Sequence, residues 1–297
     1  MRLVTYRTSE KEAWEAGIEQ DGRLIPASAA FSFGDRPRTV RALLEAGPGA
    51  LAVALSNARS IFAAGKAQPL ALDTVELAAP VPDPDKIICL GLNYADHAAE
   101  SNQPIPPAPV LFPKYRNSLI GPRDNIILPR GDEKIDYEAE LAVVIGCVCK
   151  NVTEREALDY VAGYTIMNDV SARGLQFLTS QWLAGKAIDT FAPMGPGIVP
   201  AAEISDPQTL MLSARVNGQL LQHASSSLML FSVAKTIEFI SSFMTLVPGD
   251  IISTGTPAGV GSMRKPPLYL KHGDVVEIEI ERIGKIVNRV VGPERDQ

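Results

Sequence analysis

The sequence predicts an α+β, β-rich protein: a mixed β-roll with flanking helices, preceded by a small N-terminal domain. Three observations predict it. Short β-branched apolar runs outnumber segments with helical spacing. A proline-rich stretch, Ala79-Pro80-Val81-Pro82-Asp83-Pro84, divides the chain into residues 1–75 and 82–297. The composition, 46% hydrophobic and 21% charged over 297 residues, is that of an ordinary globular chain.

The elements follow in order. Leu3–Tyr6 and Trp14–Glu19 read as strands, with Gln20-Asp21-Gly22 as a turn before Arg23–Ile25. Thr39–Ala46 and Ala50–Ala64 have helical periodicity and are separated by Gly47-Pro48-Gly49. No cluster of titratable groups with site-like spacing occurs in this first unit. We read it as a structural or dimer-edge module. Past the proline boundary, strands are expected at Lys86–Leu90, Asn125–Leu128, 137–146, 161–167 and 210–217. Asn217-Gly218 signals a hairpin returning through Gln219–Gln222. Val233–Met244 is the clearest helix, with Ala234, Ile237, Ile240 and Phe243 at helical spacing. Asp250–Ser253, Val275–Glu281 and Ile286–Val291 complete the strands.

The net charge of −6, without a basic run carrying interleaved aromatics, argues against a nucleic-acid partner. No apolar stretch reaches membrane-spanning length. The Met1–Tyr6 segment lacks the apolar core of a signal peptide. Cys147 and Cys149 are too close for an unstrained bridge, so they and Cys89 are expected as reduced thiols in the cytoplasm.

Three carboxylates carry most of the information. Side chains alternate along a strand, so Glu138 and Glu140 share a face of the run ending Leu141-Ala142-Val143-Val144-Ile145. That run is apolar enough for a buried strand, where two like charges repel and neither stays ionised alone. The next apolar run also ends in an acid, Asp169. A bound divalent cation resolves the conflict. Oxygen ligands without nearby His or Cys favour Mg²⁺ or Mn²⁺, with Ca²⁺ as a further occupant. The alternative is a solvated strand end with an acidic face.

His97 and Glu100 lie three apart in a run, Tyr94–Ser101, long enough for a short helix, and so share a face. A carboxylate beside an imidazole fixes its tautomer and raises its basicity, which suits a general base. An exposed histidine on a polar helix is the plainer reading. His223 and His272 have no acid at helical spacing. The run Pro104-Ile105-Pro106-Pro107-Ala108-Pro109 cannot form helix or interior sheet and reads as a lid or a surface loop. Lys186, between Gly185 and Ala187, is a candidate to hold an oxyanion, although most lysines are merely solvated. Gly255 and Thr256 open a Gly-rich turn whose N–H groups could receive a carboxylate. Arg173, Gln176, Lys114 and Tyr115 are further candidates for substrate contact. No Gly-x-Ser-x-Gly elbow is present, which argues against a serine hydrolase.

Five segments in order resemble the fumarylacetoacetate hydrolase family. They are Gly91–Glu100, Asp136–Gly146, Gly163–Gln176, Gly185–Phe191, and Pro248 through Gly261. The resemblance implies a β-roll catalytic domain, a homodimer, and small 2-oxo or 2,4-dioxo acid substrates. It implies Mg²⁺ or Mn²⁺ held by Glu138, Glu140 and Asp169. On this basis the expected activity is hydrolysis of a carbon–carbon bond in an acylpyruvate or fumarylpyruvate. His97, oriented by Glu100, activates water, Lys186 holds the oxyanion, and the ion stabilises the departing enolate. Oxaloacetate decarboxylation, or isomerase, hydratase or lyase action on a small 2-oxo acid, uses the same groups. A non-catalytic dimer that binds metal and oxo acid is the reading from another class.

Overall fold

The computed structural model describes residues 1–31, 36–65 and 68–292. The last residues of the expected 82–297 unit, 293–297, lie outside them. In chain order the main elements are β1 (Arg2–Arg7), β2 (Glu15–Gln20), β3 (Arg23–Pro26), α1 (Val40–Glu45), α2 (Pro48–Ala64), β4 (Ile87–Gly91), α3 (Ala95–Glu100), β5 (Val110–Lys114), β6 (Ala139–Ile145), β7 (Val161–Asn168), α4 (Arg173–Gln176), α5 (Leu183–Lys186), β8 (Ala192–Pro200), β9 (Met211–Val216), β10 (Gln219–Ser225), α6 (Val233–Phe243), β11 (Ile251–Ser253), β12 (Val275–Ile280) and β13 (Gly284–Val291). The α+β, β-rich architecture is the one expected.

The larger sheet runs β3-β2-β1-β8-β7-β6-β11-β4-β5, and the smaller runs β10-β9-β12-β13. The larger sheet crosses the proline-rich boundary. Leu3 in β1 lies opposite Ile198 in β8. Leu3, Ile18, Leu43 and Leu55 pack in one core with Ile87, Val144 and Met194. The division into units 1–75 and 82–297 remains our proposal about sequence organisation.

Strand β6 explains the layering. It is buried along its whole length. Its odd-numbered residues, Ala139, Leu141, Val143 and Ile145, face the core shared with the smaller sheet and α6. Its even-numbered Ala142 and Val144 face the core shared with the N-terminal strands. Burial on both faces is why the run is continuously apolar rather than alternating.

Local chemistry sets the boundaries. Thr39 caps α1, its hydroxyl accepting from the Ala42 N–H at 3.1 Å, and Ser232 caps α6 from the Lys235 N–H at 3.0 Å. The Asn217-Gly218 turn has φ of 51° and 80°, as a two-residue hairpin requires.

Of the strands named above, β5 and β8 were not expected. Both contain proline, which removes a ladder donor. Pro113 sits on the edge strand β5, opposite Ile88. In β8, Gly195 and Pro196 fall where the pairing with β7 shifts register. The apolar face of α6, the clearest helix in the sequence, is covered within this chain. Its buried Val233, Ile237 and Ile240 pack in this chain's own core, so that face needs no second subunit.

Candidate active site

Four strands of the larger sheet bring the site together. Strands β6 and β7 are antiparallel, with Ala139 opposite Asn168, so the start of one meets the end of the other. The Asp169 N–H donates to the Glu138 carbonyl at 3.0 Å, which sets Asp169 beside Glu138. Strand β11 pairs β6 on the other side and runs parallel to β4, with Ser253 beside Cys89. Strand β4 then leads through Leu92–Tyr94 into α3, which carries His97. Leu92 takes this corner at φ +54°, a left-handed conformation that costs about 1–3 kcal/mol for a bulky residue.

Glu138, Glu140 and Asp169 are buried, and one carboxylate oxygen from each lies within 4.8 Å of the others. The sequence expectation for these acids assumed repulsion without neighbouring cations. Three buried cations are in fact present. Lys186 Nζ donates to Glu138 Oε2 at 2.8 Å and to Asp169 Oδ2 at 2.7 Å. Lys114 Nζ lies 2.8 Å from Asp169 Oδ1. Arg173 Nη2 lies 2.7 Å from Glu138 Oε1 and 2.9 Å from Asp136 Oδ2.

The acids therefore differ. Burial alone would raise Glu138, but Lys186 and Arg173 outweigh it and hold the carboxyl well below the usual range. Lys186 stays an ammonium: burial opposes its charge, and Asp169 and Glu138 more than compensate. Glu140 is pushed well above the ordinary value by burial and by the charges of Asp169 and Glu138. Its Oε2 accepts only neutral donors, Ser253 Oγ at 2.5 Å and Gly255 N–H at 2.9 Å. Its Oε1 is buried with no hydrogen-bond partner among the described residues. An orphaned carboxylate oxygen, facing two further acids and no histidine or thiolate, fits a hard divalent cation.

On the other side of the site, His97 Nδ1 is 2.9 Å from Glu100 Oε1. Both Glu100 oxygens accept the Gly259 N–H at 3.0 Å. With Nδ1–H donating to Glu100, Nε2 keeps its lone pair. His97, Lys186 and Glu138 line the same cavity, of about 280 Å³.

Residues 86–291 match the C-terminal domain of fumarylacetoacetate (FAA) hydrolase. The chain belongs to the fumarylacetoacetate hydrolase family. It is 44% identical to the mitochondrial oxaloacetate tautomerase of Xenopus laevis over 98% of this chain and 90% of that protein. It is 42% identical to the human mitochondrial oxaloacetate tautomerase A form over 98% of this chain and 92% of that one. Among solved structures, maleylpyruvate hydrolase from Sphingobium sp. SYK-6, in complex with manganese(II) and pyruvate, superposes with a TM-score of 0.78 at 29% identity, covering 99% of this chain and 100% of that chain.

Within this family member, Arg173, Gln176 and Thr256 line the cavity. Three other residues expected at the substrate do not. Lys114 is buried behind Asp169 and donates to the Val170, Lys186 and Phe191 carbonyls at 3.0, 2.5 and 2.7 Å. It pairs with Asp169 and ties the segment after β7, the end of α5 and the approach to β8 together. Tyr115 is 52% exposed and does not line the cavity. The Gly255 N–H is committed to Glu140. The expected lid, Pro104–Pro109, follows Gln103, which lines the cavity.

Sequence reasoning missed Ser253, Trp182, Phe112 and Ser262. Trp182 and Phe112 meet edge-on at 5.4 Å on the cavity wall. A Cβ on Gly91 would lie 2.3 Å from the Trp182 ring, so glycine there makes room for it. Ser262 also lines the cavity, and its hydroxyl is buried without a partner among the described residues. The signal for Ser253 was available: it ends a buried strand on the face toward Glu140. The aromatic wall comes from distant segments and left no local signal.

Proposed function

We propose that this protein is an oxaloacetate tautomerase, interconverting the enol and keto forms of oxaloacetate or a close short-chain 2-oxo acid. The observation that carries the reading is the 44% identity, over 98% of this chain, with a relative named for that activity. The cavity of about 280 Å³, at the small end for ligand sites, suits a short substrate.

His97 moves the proton. Its Nε2 takes hydrogen from carbon 3 of the keto form, and the C–H electron pair becomes the C2–C3 double bond. Charge develops on the 2-oxo oxygen, and the imidazolium returns the proton there to give the enol. The reverse path runs through the same groups. Glu100 holds the imidazole in the tautomer that leaves Nε2 free and stabilises the imidazolium. The Lys186 ammonium is placed to donate to the developing oxyanion. Arg173 and Gln176 offer donors for carboxylate oxygens. Glu138, Glu140 and Asp169 would hold Mg²⁺ or Mn²⁺, and the bound ion would supply Lewis-acid polarisation of the 2-oxo group.

Carbon–carbon hydrolysis of a 2,4-dioxo acid, the activity expected from sequence, is the second reading. The likeness to a maleylpyruvate hydrolase favours it. It uses His97 on water instead of on carbon 3. Stopped-flow loss of the enol absorbance of oxaloacetate, beside pyruvate release from an acylpyruvate, separates the two. We further propose a homodimer, as most soluble oligomers are two-fold, and a cytoplasmic location suited to the free thiols.

A further inference from the structure

The site has two halves on different segments: the acids just before β6, on it and just after β7, and the His97–Glu100 pair on α3. Proton transfer requires a fixed distance between them. Buried Asp136, two residues before Glu138, reaches the first half through Arg173 and the second through the turn that holds Glu100.

Toward the acids, Asp136 Oδ2 accepts from Arg173 Nε at 2.9 Å, and Arg173 Nη2 lies 2.7 Å from Glu138 Oε1. Arg173 Nη1 donates to Gln176 Oε1 at 2.9 Å on the cavity wall. Toward the base, Asp136 Oδ1 accepts the Gly261 N–H at 2.7 Å, and Oδ2 the Ser262 N–H at 2.9 Å. These two N–H groups belong to the turn whose Gly259 N–H holds Glu100. The next side chain helps: Tyr137 Oη donates to the Gly259 carbonyl at 2.9 Å. The turn has no slack, because a Cβ on Gly261 would lie 1.9 Å from the Leu268 carbonyl oxygen.

We infer that Asp136 is a positioning residue that sets His97 against the acid cluster, acting through the 259–262 turn and Glu100 on one side and through Arg173 on the other. It touches no substrate. The inference deepens the proposed function and rests on His97 being the proton carrier.

A double-mutant cycle with a spectroscopic arm tests it. Asp136→Asn and Asp136→Glu are each made alone and with His97→Ala, so that one folded variant suffices. The Asn variant should lower kcat for oxaloacetate tautomerisation about tenfold or more, with KM changed by less than about threefold. In the His97→Ala background the same change should cost less than about twofold, since the group it positions is gone. Equal losses in both backgrounds, or no loss from His97→Ala, overturn the inference.

The second arm does not depend on turnover. The chain has three histidines, so the His97 ring nitrogens can be assigned by NMR from their loss in His97→Ala. In wild type they should report a single Nδ1–H tautomer, and in Asp136→Asn a mixture. An unchanged tautomer overturns the inference even if oxaloacetate proves not to be the substrate. Absence of wild-type tautomerisation with the tautomer shift intact would instead count against the proposed reaction. Mn²⁺ affinity, measured by titration, should weaken in Asp136→Asn through the loosened Arg173–Glu138 contact.

Discussion

At the scale of single residues, Glu140 Oε1 and Ser262 Oγ are buried at the site without a hydrogen-bond partner among the described residues. Glu140→Ala removes a direct oxygen ligand. Outer partners of a metal ligand are typically worth 10–100-fold in affinity, so losing the ligand should cost more than about 100-fold in Mn²⁺ affinity by titration calorimetry. A change of less than about threefold would contradict the metal site. The pH dependence has a definite sign. Burial and the neighbouring acids raise Glu140 in the folded state, so the folded chain retains a proton that the unfolded chain releases. The stability from that proton is complete below the unfolded carboxylate value and fades as pH rises through the raised folded one. In chelator-treated protein, the stability of wild type relative to Glu140→Gln should therefore fall as pH rises above the ordinary carboxylate range in urea titrations. Parallel curves would contradict it. Ser262 poses a simpler case. Its buried hydroxyl has no partner to lose, so Ser262→Ala should leave Tm unchanged or slightly raised. If substrate supplies the missing acceptor, KM should rise about tenfold, in line with the ~1–3 kcal/mol of a buried polar group.

At the scale of elements, the 259–262 turn joins the two halves of the site. Gly259 has φ +103°, and a Cβ there would lie 2.3 Å from the Leu221 carbonyl oxygen. Gly259→Ala should displace the N–H that holds Glu100 and lower kcat about tenfold or more, with Mn²⁺ affinity little changed. Equal loss of both would mean that the turn supports the acids as well. Ile240→Ala in α6, remote from the site, should instead cost about 2–5 kcal/mol of stability and leave KM alone. The sequence made some of this legible. Period-two alternation placed Glu138 and Glu140 on one face, and helical spacing paired His97 with Glu100. The two missed strands are explained by their prolines, which read as breaks although β5 is an edge and β8 is irregular. The buried cations were harder to read. Nothing near Lys114 in sequence distinguishes a lysine sealed behind Asp169 from a solvated one, because its acceptors lie beyond residue 169. Lys114, Tyr115 and Gly255 were placed at the substrate for want of that long-range information.

For the whole molecule, a continuous sheet from the N-terminal strands to β5 makes a rigid floor, and the site occupies the ends of β4, β6, β7 and β11. Light scattering should give about twice the 31.9 kDa chain mass if the proposed homodimer forms, and a monomer at micromolar concentration would contradict it. The central claim is that this floor holds an imidazole base opposite an acid cluster to move a proton on a small 2-oxo acid. The most direct test is the rate of oxaloacetate enol-to-keto conversion, followed by the enol absorbance, for wild type and His97→Ala with Mn²⁺ present. Wild type should accelerate it well above Mn²⁺ in buffer, and His97→Ala should lose about 10²–10⁴-fold, the usual worth of a general base. A wild-type rate no faster than Mn²⁺ alone, or a His97→Ala rate equal to wild type, would contradict the account.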